Sequence, residues 1–221
     1  AAAVALADAA LPPVLRDAAD WKAIRQDWET IASQGLSWTP PENIKRHTQM
    51  IGKLLQFMVT VADETQLTLD PIMDTYYFMD TLVTKMPAML EQMGVTRARG
   101  TGLLTKKEMT AQQRVDLSAV VAQMEGTLQA QNINLEKVMR FAPALKDGLS
   151  GPTREFSVGA QKIFALVRED ILTEKYVTSP QDYFAMVTQV IDLGYKVMYE
   201  TLMPQFERQL QDRLEQSRQV L

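Results

Sequence analysis

Residues 72–93 read IMDTYYFMDTLVTKMPAMLEQM, and their larger apolar side chains recur at Ile72, Tyr76, Met79, Val83, Met86, Leu90 and Met93. The steps alternate four and three. That spacing puts every one of these side chains on a single stripe of an α-helix, with a period near 3.5 residues, and it cannot be drawn on a strand. A stripe of this kind is the seam of helices packed nearly parallel to their neighbours.

The same reading extends to both sides. Ile44, His47, Ile51, Leu54, Met58 and Val61 step 3-4-3-4-3. Leu117, Val121, Met124 and Leu128 step 4-3-4, and the frame resumes at Leu135, Val138, Ala142 and Leu145. No alternating run of β-branched residues competes. Thr39-Pro40-Pro41-Glu42 has the order of a capping box with proline at the first helical position, and Ser179-Pro180 with Asp182 repeats it. Asp70-Pro71 and Gly151-Pro152 read as further helix starts. Thr105 with Glu108 and Thr110 with Gln113 compete for one start. Pro12-Pro13, Pro87 and Pro204 predict kinks. The expectation is an all-α chain, over about 70% helix. Six long helices near 3–34, 41–66, 71–103, 107–146, 152–175 and 180–219 would form an elongated up-down antiparallel bundle. Two stacked four-helix modules are the alternative arrangement. No linker divides residues 1–221, which read as one domain.

Composition removes several classes. With 221 residues, 46% of them hydrophobic, the chain can bury a core without staples. It has no cysteine and one histidine, His47. Disulfide scaffolds, thiolate metal sites and cysteine nucleophiles are excluded, and neither a multi-histidine metal site nor a Ser-His-Asp triad is expected. A net charge of −4 gives no footprint for nucleic acid. No paired Glu-x-x-His, phosphate loop or nucleophile elbow occurs, so neither catalysis nor a cofactor is expected. No run of about 18 apolar residues spans a membrane. The first residue, Ala1, and the helix-forming stretch 208–221 read as the ends of a fragment of a longer protein. Six antiparallel helices would bring those ends together, as in an insert between two membrane helices.

Residues 61–100 are more specific: VADETQLTLDPIMDTYYFMDTLVTKMPAMLEQMGVTRARG. This stretch resembles the all-helical periplasmic sensor region of bacterial methyl-accepting chemotaxis proteins and sensor kinases. Its pattern runs through a His-led helix, VAD-x-S-x-LTLDP, TYYLMD, a proline and G-x-x-R-x-x-G. His47, Asp70, Pro71, Tyr76, Tyr77, Asp80, Pro87, Gly94, Arg97 and Gly100 match it, and Pro180-x-x-Tyr183-Phe184 looks like the family too. Gln66 stands where the pattern has Gly, and Thr65 where it has Ser. The resemblance implies a periplasmic ligand-sensing domain of an inner-membrane receptor, held between two transmembrane helices, with its signalling module elsewhere in the parent chain. Helical nitrate-sensing and bimodular organic-acid-sensing domains are similar in architecture, without binding motifs that align here.

Polar residues on the apolar stripes are the candidate site. Continuing the third helix past Met93 reaches Arg97, and extending the fourth back from Leu117 reaches Arg114. Two guanidinium groups on the core side would hold a small anion bidentately, an organic acid first and nitrate second. Tyr76 on the seam and Tyr77 beside it would complete the wall. The structural alternatives are an internal ion pair of Arg97 with Asp80 or Glu91, a snorkelling Arg114, a core Tyr76, and Asp70 as a helix cap. Trp21 and Trp28 would face the bundle or form a homodimer seam. The functional expectation is a receptor domain that shifts between helix packings on binding ligand, with a bundle that senses a periplasmic protein as the alternative.

Overall fold

The computed structural model describes residues 2–219, and helix accounts for 89% of the chain, with no strand among the described residues. The chain divides into two compact units, residues 1–67 and 68–221. No helix among the described residues is long and apolar enough to cross a membrane.

The first unit contains α1 (Ala2–Ala10), α2 (Pro13–Arg16), α3 (Ala19–Gln34) and α4 (Pro40–Glu64). The single helix expected over 3–34 is thus broken into three rather than kinked. Pro12 is extended (φ −63°, ψ 155°) and Pro13 starts α2, because proline has no N–H to give to the preceding turn. The core is Leu15, Trp21, Ile24 and Phe57, with Leu54 and Val61 against it. Trp21 stacks on Phe57 at 5.3 Å and donates Nε1–H to Asp8 (2.8 Å). On α4 the buried positions are Met50, Phe57 and Ala62, whereas Ile44 is exposed and His47 half-buried. The buried face is therefore rotated slightly from the expected stripe. His47 Nδ1 lies 2.9 Å from Asn43 O.

The second unit is an up-down-up-down bundle of four rods. The first joins α5 (Met73–Asp80) and α6 (Met86–Lys106) through a π-helical turn, Thr81–Lys85. The second is α7 (Ala111–Phe141); the third is α8 (Lys146–Leu166) with a π turn, Val167–Ile171. The fourth joins α9 (Pro180–Lys196) and α10 (Met203–Gln219) through a π turn, Val197–Leu202. Tyr77 meets Lys137 and Thr96 meets Met124, so the first two rods run antiparallel. Phe78 meets Phe206 and Thr96 meets Tyr183, so the fourth returns antiparallel to the first.

The two prolines expected to kink the rods are absorbed in another way. Met86 N–H bonds to Thr81 O and Met203 N–H to Met198 O, each five residues back and each immediately before a proline. A proline clashes with the carbonyl four residues earlier, and a wider π turn relieves that clash without ending the rod. Helix starts also differ. Asp70 is not an N-cap; α5 begins at Met73 after Ile72. Thr110 and Gln113 form the capping box of α7, and Lys107 ends α6 in the left-handed region (φ 56°). Pro152 lies inside α8, which begins at Lys146.

Candidate functional site

Two motifs distant in sequence meet where α6 packs on α9. Gly100 has no side chain, and a Cβ there would lie 2.5 Å from the Tyr183 ring. The gap lets Tyr183 bury fully and donate its hydroxyl to Thr96 O at 3.0 Å. Burial pushes that hydroxyl far above its ordinary pKa, so it stays a donor. Gly194 plays the matching part on α9, admitting Leu90 and Phe156 against the helix backbone.

Arg97 lies beside this contact. Its Cζ sits 4.6 Å from the centroid of the Phe184 ring, and Nη1 donates to Thr188 Oγ1 at 2.8 Å. Thr188 in turn donates to Phe184 O at 2.7 Å, which fixes its oxygen as the acceptor. Nε and Nη2 of Arg97 have no protein partner, and no carboxylate pairs with it among the described residues. The internal pairings weighed for it do not form. Asp80 Oδ1 binds Lys85 (3.2 Å) and Thr84 (2.6 Å), and Oδ2 accepts from Asn134 (2.7 Å). Burial alone would raise the Asp80 carboxyl, but these hydrogen bonds and the Lys85 charge outweigh it and hold it below its ordinary range. Glu91 has no such partners, and burial pushes its carboxyl up.

The other three candidate residues stand elsewhere. Arg114 bonds to Leu172 O and pairs with Glu174, clamping the loop between α8 and α9. Two residues of that loop, Glu174 (φ 58°) and Tyr176 (φ 49°), are left-handed, and Asp170 braces it by accepting the N–H groups of Val177 (2.7 Å) and Thr178 (2.8 Å). Tyr76 and Tyr77 touch edge to face at 5.2 Å, and Lys137 lies over the Tyr77 ring (4.4 Å) and donates to its hydroxyl (3.0 Å). Twenty residues separate Tyr77 from Arg97 on one rod, about 30 Å at 1.5 Å per residue. The four residues therefore occupy three places, not one cavity.

Sequence reasoning named Phe184 only through the resemblance and missed Thr188, which is four residues on and shares its helix face. It also missed Lys137, whose role depends on long-range packing. Open grooves of about 520 Å³ between α7 and α8 and about 670 Å³ between α8 and α9 are lined by none of the four candidates. In the first unit Trp28 lines a groove of about 540 Å³ with Asp8 and Arg25. Among the described residues no three metal-ligating side chains gather.

What this arrangement can do is limited and definite. It offers one guanidinium, held flat by an aromatic ring and a hydroxyl, with hydrogen-bonding edges left over. Arginine in that state binds planar oxyanions. Neither a search of curated proteins nor one of solved structures returned a match. The sequence model of one family does match, over residues 1–215, and on that match this chain belongs to the nitrate- and nitrite-sensing family of signal-transduction domains.

Proposed function

We propose that this chain is the extracytoplasmic ligand-binding domain of a transmembrane bacterial receptor, a chemoreceptor or sensor kinase, and that nitrate or nitrite binds it directly at Arg97. The single observation that carries the site is the guanidinium of Arg97, stacked on Phe184 and lacking an acidic partner among the described residues. A half-buried cation of this kind is stabilised by an exchangeable anion. Nitrate is planar, with three oxygens, and pairs edge to edge with the open Nε and Nη2 donors. The family match puts nitrate and nitrite ahead of the organic acids that the residues alone favoured. It runs through both compact units, which supports reading residues 1–221 as one sensory domain.

Binding at α6 and α9 would favour one packing of the two rods, and the displacement would pass along α10 towards the membrane. The parent chain is membrane-embedded in this reading and works as a homodimer. The exposed pair Tyr195 and Tyr199, stacked at 6.2 Å on the fourth rod, is a candidate part of its contact surface.

The test is calorimetric titration of the purified chain with nitrate, nitrite, chloride and a dicarboxylate at constant ionic strength. Wild type binds nitrate or nitrite, Arg97→Ala does not, and Arg97→Lys binds about tenfold or more weakly because a lysine cannot present two parallel donors. Absence of binding by wild type, or equal binding by Arg97→Ala, overturns the site. Saturable binding of a periplasmic protein with no response to any anion favours the partner-sensing alternative.

A further inference from the structure

Gln131 on α7 is 0% exposed, yet among the described residues neither its amide oxygen nor its amide nitrogen has a hydrogen-bond partner. A buried amide with both ends unmatched is rare, because it has given up its water without replacement. Its level in the second unit is informative. Tyr77 faces Lys137 and Asp80 faces Asn134, in antiparallel register. Three residues on, that register sets Gln131 opposite Val83, inside the π turn Thr81–Lys85. Across the other neighbour, Phe78 faces Phe206 and Leu90 faces Gly194, a register that sets 81–85 opposite 199–203. The π turn Val197–Leu202 therefore lies at the same level. Each of these two turns is followed, one residue on, by a proline, Pro87 or Pro204, which has no N–H to give to the turn before it. One level of the bundle thus collects two widened turns and a buried amide with both ends unmatched. Gln205, whose Oε1 is also buried and unpartnered, lies next to this level on α10.

We propose that this level is a buried-water site and a soft joint. One or more waters meet the Gln131 amide and the carbonyl that Pro87, having no N–H, leaves open in the facing turn, at about three hydrogen bonds per water. The hydrated level separates the α6–α9 half, which carries Arg97, from the α5–α10 half, where the last rod ends. Rods whose ladders are already broken there open locally more easily than the turns above and below. The water site and the softness stand on the structure alone; only the identity of what the joint transmits rests on the nitrate reading.

The experiment replaces Gln131 with an apolar side chain of similar size. Gln131→Met and Gln131→Leu are made in the full chain, so that one poor fit does not decide. In a crystal structure of the wild type ordered water lies within about 3 Å of the Gln131 amide, and it is gone from both variants. Amide hydrogen exchange at 83–88 and 199–204 slows about tenfold or more, while exchange in the middle of α6 and α7 follows global stability alone. Nitrate affinity by calorimetry stays within about threefold of wild type. A wild-type crystal structure with no ordered water at this level, the Gln131 amide instead bonded to a protein group, overturns the proposal. Unchanged exchange at the two π turns overturns the joint. Loss of nitrate binding in wild type leaves these readouts intact and overturns only the assignment of Arg97.

Discussion

Arg213 Nη1 sits 2.8 Å from Asp70 Oδ1, so the last helix of the second unit is tied to the residue that leads into its first. The same nitrogen reaches Thr75 Oγ1 at 3.0 Å, and Asp70 also accepts the Ile72 N–H at 3.0 Å. The Asp70 side chain is only 2% exposed and its second oxygen has no hydrogen-bond partner among the described residues. This contact closes the bundle at the end where the α10 rod leaves it.

Arg213→Ala therefore strands a buried carboxylate. The expected cost is about 1–3 kcal/mol, less than for a fully buried pair because Arg213 is itself partly exposed. The pH dependence has a definite sign. Burial would raise the Asp70 carboxyl, but the hydrogen bonds from Arg213, Ile72 and Thr75 outweigh it, so its folded pKa lies below the ordinary 3.8. A group lowered in this way stabilises the fold above its unfolded pKa, and that stability is lost as pH falls through the folded value. Urea titrations of both proteins should show a gap in stability at pH 7 that narrows below about pH 4. An unchanged gap at acid pH would mean that the pair is not the source.

Gln66 has φ 61°, at the end of α4, where its N–H reaches back to Asp63 O. The sensor pattern that this stretch resembles has glycine at this position, and the structure supplies the reason. A left-handed residue with a Cβ costs about 1–2 kcal/mol, and glycine avoids that while losing more freedom on folding. Gln66→Gly should stabilise the first unit by about 0.5–1 kcal/mol. A lower melting temperature in a thermal scan would contradict this.

The two glycines of Gly94-x-x-Arg97-x-x-Gly100 are predicted to behave oppositely. A Cβ at Gly100 meets the Tyr183 ring, which is fully buried and cannot retreat. Gly100→Ala should push α6 and α9 apart and cost about 1–3 kcal/mol. At Gly94 nothing lies within 4 Å of the added methyl. Gly94→Ala should instead gain up to about 1 kcal/mol from helix propensity. Chemical denaturation of the pair separates a packing requirement from a general intolerance of alanine in α6.

Most of the architecture was legible because the apolar stripes of α5–α7 survive as the buried faces: Met79, Met86, Leu90, Met93, Leu117, Val121, Met124 and Leu128 are all in the core. The π turns were not. A 3.5-residue period averages over a single wide turn, and Pro87 and Pro204 signal a break without saying which kind. Arg97 was found because its stripe stays within the packed length of α6, although its partners lie 87 and 91 residues away. Arg114 was misleading for the opposite reason. Running a stripe back into the first turn of a helix reaches the rim, where the stripe meets a loop rather than the core. Tyr77 lay off the seam, and its partner Lys137 belongs to a polar level that no local pattern reveals.

Arg97 and Arg114 provide the sharpest test, since both are arginines on helix stripes with different partners. Arg114 holds Glu174 and Leu172 O, so Arg114→Ala removes a loop clamp and releases two left-handed residues. Its melting temperature should fall, while the nitrate-dependent rise remains. Arg97 holds a hydroxyl and an aromatic face, both near solvent, so Arg97→Ala should change the unliganded melting temperature little. Its nitrate-dependent rise should vanish. For wild type, an anion at 100 times its dissociation constant adds about 2.7 kcal/mol to stability, a shift of several degrees for a chain of this size. Chloride at equal ionic strength serves as the control, because general screening acts on every exposed pair and not on one arginine. Equal nitrate responses in wild type and Arg97→Ala would remove the anion site from the α6–α9 seam, and a response lost only in Arg114→Ala would move it to the loop.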